Sequence, residues 1–363
     1  MKKILISILS LVLLVGLLAG CAGGGEEAAA DTSTDGPDTP ATSDPEETYN
    51  WRFAHEENNG SIQDVYVKEF VRILEEKSDG RINIDIYPVG QIGDATQQTE
   101  LLQNGGLEFA MVSPGNTGTI VPENQLFSLH YLFSDDMDVN ARVFNESEAL
   151  NEMLNEKYLE KNLQVLAYWT EGFMEWSSSR PVNTLDGWKG LKMRTMPSPM
   201  IVASYEAYGA NPTPVPYMEV YSGLQLNMIE GQENPISAIE EMKFMEVQDY
   251  LTLGGSSLYV TCTAVNPDFF NGLPQDIQEM ILETVEETRD FSFEAQDDLN
   301  SGALDKIIEA NPDIEVVELT AEEREAFREA SQSAYQEYID TVGEDGEAIL
   351  NKLIEEIAEM EGN

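Results

Sequence analysis

Between Trp51 and Val112 the chain alternates short apolar runs with amphipathic ones in the order strand, helix, strand, helix, strand, and few architectures admit that order. Trp51 to Ala54 reads as a strand and Asn58-Asn59-Gly60 as a turn. The spacing of Val65, Phe70, Val71 and Leu74 predicts a helix over about 62–77 that Ser78-Asp79-Gly80 stops. Ile82, Ile84 and Ile86 alternate with polar residues as a second strand. A helix from about Asp94 to Gln103 then leads to the buried strand Phe109 to Val112. Parallel strands need crossovers of a dozen or more residues, so this segment reads as an α/β unit with a largely parallel sheet.

The pattern then restarts. A helix around Val139 to Lys161 precedes a strand from Leu163 to Trp169, and Gly190 to Arg194 opens another strand. Met200 to Tyr208 and Glu219 to Met228 read as helices on either side of the proline-rich crossing Asn211 to Pro216. Leu258 to Val265 is a further strand. The C-terminal third is helical apart from the strand Ile314 to Leu319, with Thr320 and Glu323 as a capping box. At 363 residues, 42% of them hydrophobic, the chain has the length of about two domains and no internal repeat.

The N-terminus is of a different kind. Lys2-Lys3, the apolar run Ile4 to Leu18 and Leu18-Ala19-Gly20-Cys21 form a lipoprotein export signal over 1–20, with Cys21 as the lipidated residue and a membrane as partner through its acyl chains. Residues 21–48 are acidic and rich in Gly, Ser, Thr and Pro, which marks a linker. Within it Asp31 to Gly36 imitates the start of an EF-hand loop, but Thr42 stands where the bidentate Glu belongs. The globular body starts near Tyr49, outside the cytoplasm, at the cell surface or in the periplasm.

Acidic residues number 67 against 20 basic ones, a formal net charge of -47, which excludes nucleic acid as a partner and suits a saline or alkaline habitat. With only Cys21 and Cys262, neither a disulfide framework nor a thiolate zinc site is expected. His55 and His130 lack partners at triad or metal spacing, and no nucleophile elbow, dinucleotide fingerprint, P-loop or zinc-protease motif occurs. Carboxylates are abundant enough to hide a catalytic pair, so a tethered hydrolase stays open as another class. The expectation is ligand capture without a cofactor or metal.

Four ordered segments carry a resemblance: Gly190-Leu191-Lys192-Met193-Arg194-Thr195, Tyr208 to Pro216, Glu219 to Gln225, and Glu230-Gly231-Gln232-Glu233-Asn234-Pro235. With Tyr87 to Gly93 and Gly187 to Gly190, they resemble the solute receptors of tripartite ATP-independent periplasmic (TRAP) transporters, the DctP family. The resemblance implies an α/β, two-lobed periplasmic-binding-protein-like fold with a ligand cleft between lobes. Lobe I is expected over 49–171 plus about 260–299, and lobe II over 172–259 plus about 300–363. It further implies TRAP permease subunits as partners, a small organic acid as ligand and a monomeric receptor. A sensor subunit presenting its ligand to a kinase has the same sequence signature.

Carried over residue by residue, the family's carboxylate-binding arginine is Arg194, and its neighbouring amide is Asn234. A guanidinium suits that role because its planar fork matches a carboxylate and stays charged. Met174 stands where many members place a second arginine, which weakens dicarboxylate and sialic-acid readings. The first strand leads instead into His55-Glu56-Glu57. An acid there, Glu56 or Glu57, suits a ligand that also bears a cation, and the pattern is similar to the family's ectoine and hydroxyectoine receptors. Tyr217 is expected against the ligand, with Trp169 and Trp176 as further walls or as core, and Ser113 in contact directly or through water. Alternatively Glu56 is solvated or paired with Arg52, and then a hydroxy acid, dicarboxylate, uronate or sulfonate fits as well.

Overall fold

The computed structural model describes Asp44 and residues 47–362. The export signal, Cys21, the EF-hand-like stretch and nearly all of the linker lie outside the described residues. Among the described residues ten strands form in chain order: β1 (Tyr49–Ala54), β2 (Ile82–Tyr87), β3 (Phe109–Val112), β4 (Gln164–Ser178), β5 (Arg194–Thr195), β6 (Thr213–Pro214), β7 (Gly231–Pro235), β8 (Tyr250–Leu253), β9 (Leu258–Val265) and β10 (Glu315–Glu318). Among the described residues no helix is long and apolar enough to cross a membrane.

The first α/β unit forms as its periodicity requires. Ser61 caps the helix Ile62–Lys77 by accepting from the Asp64 amide, and the helix buries Tyr66, Val67, Phe70 and Leu74. These pack with Trp51, Phe53 and Phe109 from β1 and β3. β1 pairs in parallel with β2 and β3, but β3 pairs antiparallel with β9, and β9 antiparallel with β4. The sheet is therefore mixed: β9 follows β8 with no helix between them and enters antiparallel to both β3 and β4.

β4 departs most from expectation. It runs on for nine residues past Trp169, through Thr170-Glu171-Gly172 to Ser178. Its first part lies on β9, while its last part pairs antiparallel with β7 on one side and β8 on the other, and β10 adds in parallel to β8. One strand thus belongs to two sheets. Between them the register shifts from Thr170 to Phe173, where Gly172 takes φ +112°. There Asn300 of the helix Gln275–Ser301 donates to the Glu171 carbonyl at 2.7 Å. A Cβ on Gly172 would stand 2.7 Å from that amide nitrogen.

The region 137–159 is broken rather than one helix: Met137–Glu146, a π-turn Ala149–Leu154 and Asn155–Leu159 follow each other. The C-terminal helix Ala321–Glu361 begins with the expected Thr320–Glu323 capping box and bends at Gly343, φ +70°. Its Tyr338, Leu350 and Leu353 share a core with Leu126, Val143 and Tyr158, so its second half packs with the 49–171 segment. Its Phe327 packs with Trp176 and Trp188 instead.

Gly172 meets both a left-handed backbone and a close approach, so Gly172→Ala should cost about 1–3 kcal/mol of stability. An unchanged midpoint in chemical denaturation would contradict that account of the strand crossing.

Candidate functional site

A cavity of about 440 Å³ opens beyond the C-terminal ends of β1 and β2. One wall is Glu56, Glu57, Asn116 and Tyr259; the other is Arg194, Met196, Tyr217 and Asn234. Ligands of parallel sheets meet the chain at these strand ends, because the loops there are free to diverge. His55 continues the β1 ladder by donating to the Tyr87 carbonyl, and the two carboxyls follow where pairing stops.

The opposite wall is built by the proline-rich crossing. β6 pairs with β5 in parallel, and the Val215 amide donates to the Thr195 carbonyl. Val215 in turn accepts from Arg194 Nε at 3.0 Å. Pro214 and Pro216 fix φ on both sides of that carbonyl, so the crossing aims the guanidinium and delivers Tyr217 beside it. A bridge between Met193 and Gly231 brings β7, hence Asn234, to the same wall. Arg194 is 3% exposed and makes no ion pair among the described residues. Burial lowers its pKa, while Tyr259, Glu233 and Tyr217 push it back up. A guanidinium keeps its charge regardless.

Glu56 is equally buried, 3% exposed. Its Oε1 accepts from the Ser113 amide at 3.2 Å, while its Oε2 is buried without a partner. Ser113 does not line this cavity. It stands one layer behind, where its hydroxyl accepts from Asn116 at 2.9 Å and from Tyr259 at 3.3 Å. Burial drives the Glu56 carboxyl up to about 7 against the hydrogen bonds from Ser113 and Asn116. The Tyr217 hydroxyl is also buried without a partner. Arg52 does not pair with Glu56: its guanidinium holds Glu108 at 2.7 and 3.0 Å. Arg52 lies within the strand, and Glu56 lies past its end.

Trp169 and Trp176 are core, not cavity wall. Trp169 stacks on Tyr66 at 4.6 Å and donates to Thr263, and Trp176 donates to the Tyr205 hydroxyl. Met174 is buried among Tyr131, Trp176 and Met196, and among the described residues Arg194 is the one basic side chain lining the cavity. Sequence reasoning missed Tyr259, Asn116 and the buried Glu171. Glu171 carries a readable signal, as one of two acids, with Glu175, inside the mostly apolar run from Leu163 to Trp176.

Both histidines are buried. His55, 3.6 Å from Asp64, is held neutral by burial at about 4, and His130 shares a 2.6 Å hydrogen bond with Tyr208. Among the described residues no cluster of three His, Cys, Asp or Glu has the geometry to hold a metal.

Burial pushes the carboxyls of Glu56, Glu171, Glu175 and Glu233 each up to about 7. The unfolded chain ionises near 4.5, so their stabilising effect is full below that pH and is lost as pH rises through about 7. Surface repulsion has the same sign but is screened in 1 M salt, where the Debye length is about 3 Å. The ligand-free protein should therefore lose stability between about pH 5 and 8 even at 1 M salt, and Glu56→Gln should remove part of the slope. A flat denaturation profile in high salt would contradict this electrostatic account.

The model of bacterial extracellular solute-binding protein family 7 (DctP) matches residues 53–341. The chain is 37% identical over 308 residues to the ectoine/5-hydroxyectoine-binding periplasmic protein UehA of Ruegeria pomeroyi, covering 85% of this chain and 90% of that one. It is 36% identical over 304 residues to the ectoine-binding periplasmic protein TeaA of Halomonas elongata, covering 84% and 89%. The solved structure of the ectoine-binding protein of the Halomonas elongata TeaABC TRAP transporter superposes with a TM-score of 0.83 at 35% identity, over 85% of this chain and 99% of that one. A match across the α/β body, including both walls of the cavity, makes this chain a member of the DctP family, the bacterial extracellular solute-binding proteins of family 7.

Proposed function

We propose that this protein is the extracytoplasmic receptor of a TRAP transporter, and that it captures a small zwitterion of the ectoine type for the membrane permease. The ligand's carboxylate lies on Arg194, with Asn234 beside it, and its cation meets Glu56. One observation carries this reading. A buried arginine without a counter-ion shares a cavity with a buried carboxyl whose Oε2 has no partner. Burying unpaired charge is costly, so a site that holds both signs apart is matched by a ligand that supplies both opposites. A delocalised cation also gains from the faces of Tyr217 and Tyr259, about 0.5–2 kcal/mol. A dicarboxylate finds no second basic side chain in the wall.

The named relatives are solute-binding proteins, and their printed ligands, ectoine and 5-hydroxyectoine, favour the same choice. In this reading lobe I is 49–171 plus about 260–299 and lobe II is 172–259 plus about 300–363, save that the second half of the C-terminal helix packs with lobe I, and the two join through β4 and close on the ligand. Lipidation at Cys21 tethers a monomeric body to the membrane surface through the linker 21–48. A net charge of -47 suits a cell that imports a compatible solute under salt.

Calorimetric titration of the body against ectoine, hydroxyectoine, malate and glucuronate tests the assignment. Tight one-to-one binding of the zwitterions alone is expected. Arg194→Ala should cost about 2–5 kcal/mol of affinity, and Glu56→Gln should weaken the zwitterions far more than any anion. Binding of an anion alone, or equal effects of Glu56→Gln on both classes, would overturn the proposal.

A further inference from the structure

Arg194 and Met196 flank Thr195, and both line the ligand cavity while Thr195 does not. Met196 also borders a second, smaller cavity of about 30 Å³, whose polar side chains include Ser128, His130 and Glu233. Among the described residues only Met196 and Tyr259 line both cavities, so these two side chains form the partition between them. At its size the back cavity takes about two water molecules and no part of a ligand.

The two halves of the partition differ in freedom. Tyr259 is held on β9, with its hydroxyl donating to Ser113 at 3.3 Å. Met196 is an unbranched thioether, which adapts its shape to the space it is given. That space is supplied by Gly115, in the short helix Pro114–Thr117 that follows β3. A Cβ on Gly115 would stand 2.5 Å from Met196 Cε and 2.6 Å from Sδ, with Ile201 Cδ1 next at 3.3 Å. The Gly115 backbone lies outside the left-handed region, so space rather than conformation requires glycine here. Gly115 precedes Asn116 of one cavity wall and Met196 belongs to the other, so the walls meet at this contact.

We propose that Met196 is a specificity-determining residue: its thioether arm, seated on the bare Cα of Gly115, closes the ligand cavity beside Arg194 and keeps the ligand out of the polar back cavity. A zwitterion whose carboxylate lies on Arg194 meets an apolar partition where its ring begins, and a compact ring is what fits there. This inference rests on the zwitterion reading and deepens it by naming the residue that limits ligand size. Without the arm the two cavities join, and a larger ring gains the room that the thioether occupies.

The test is calorimetric titration of the body with ectoine and with its seven-membered-ring homologue, which is larger by one methylene. Met196→Ala should raise the affinity for the homologue relative to ectoine about tenfold over the wild-type ratio. Gly115→Ala drives the arm off its seat and into the ligand cavity, so both ligands should weaken, by about tenfold. In the Met196→Ala background the added methyl has room, and Gly115→Ala should change either affinity by less than about twofold. An unchanged ratio in Met196→Ala, or a Gly115→Ala penalty that persists without the arm, would overturn the inference. Crystals of ligand-free Gly115→Ala test the same contact even if Met196→Ala does not fold: a displaced Met196 arm is expected, and an arm still on its seat would overturn the proposal. A wild-type protein that ignores ectoine while those crystals show the arm displaced would refute the ligand reading and leave the partition standing.

Discussion

A guanidinium withdrawn from water with no counter-ion is the constraint on which the rest of the site depends. Among the described residues Arg194 has one hydrogen bond, to the Val215 carbonyl, and that bond uses Nε while the guanidinium lines the cavity. Left alone, such a group costs several kcal/mol of desolvation. The neighbouring architecture is what makes it tolerable: prolines on both sides of Val215 hold the carbonyl, and Tyr259, Glu233 and Tyr217 supply partial compensation. Glu233 does so through its charge from beyond ion-pair distance, while it accepts from the Tyr205 hydroxyl. A carboxylate arriving from outside therefore meets a donor set that no protein group already occupies.

The opposite charge is reached by a separate route through the chain. Glu56 follows β1, Asn116 beside it and Ser113 behind it follow β3, and Tyr259 lies on β9. β4 connects these pieces to the other wall. Its first part belongs to the sheet of β1, β3 and β9 and its last part to the sheet of β7 and β8, with Glu171 and Gly172 at the change of register. The buried Glu171 is thus next to the point where the strand passes from one sheet to the other.

Much of the first α/β unit was legible because its signals are local. Alternating isoleucines, a helix face and a Gly-bearing stop place β1, β2, β3 and the helix Ile62–Lys77 within a residue or two. β7 and the second half of β4 were not legible, since Gly231-Gln232-Glu233-Asn234-Pro235 and Thr170-Glu171-Gly172 read as turn-like and polar. They are strands only because they pair with distant segments that bury them on both faces. Arg194 and Asn234 were reached through the family's motif, and their shared wall needed the β5 and β7 bridge that no local pattern announces. Tyr259 was read as one more residue of an apolar strand, and its place in the cavity follows from the neighbours of β9.

The measurement closest to the central claim is a crystal structure of the body with ectoine bound. The ligand's carboxylate should lie in bidentate contact with the Arg194 guanidinium and within reach of Asn234. Its ring nitrogens should lie within hydrogen-bond distance of Glu56, with Tyr217 or Tyr259 against the ring. A ligand carboxylate bound away from Arg194, or a ring cation that points to solvent and leaves Glu56 Oε2 without a partner, would contradict the account.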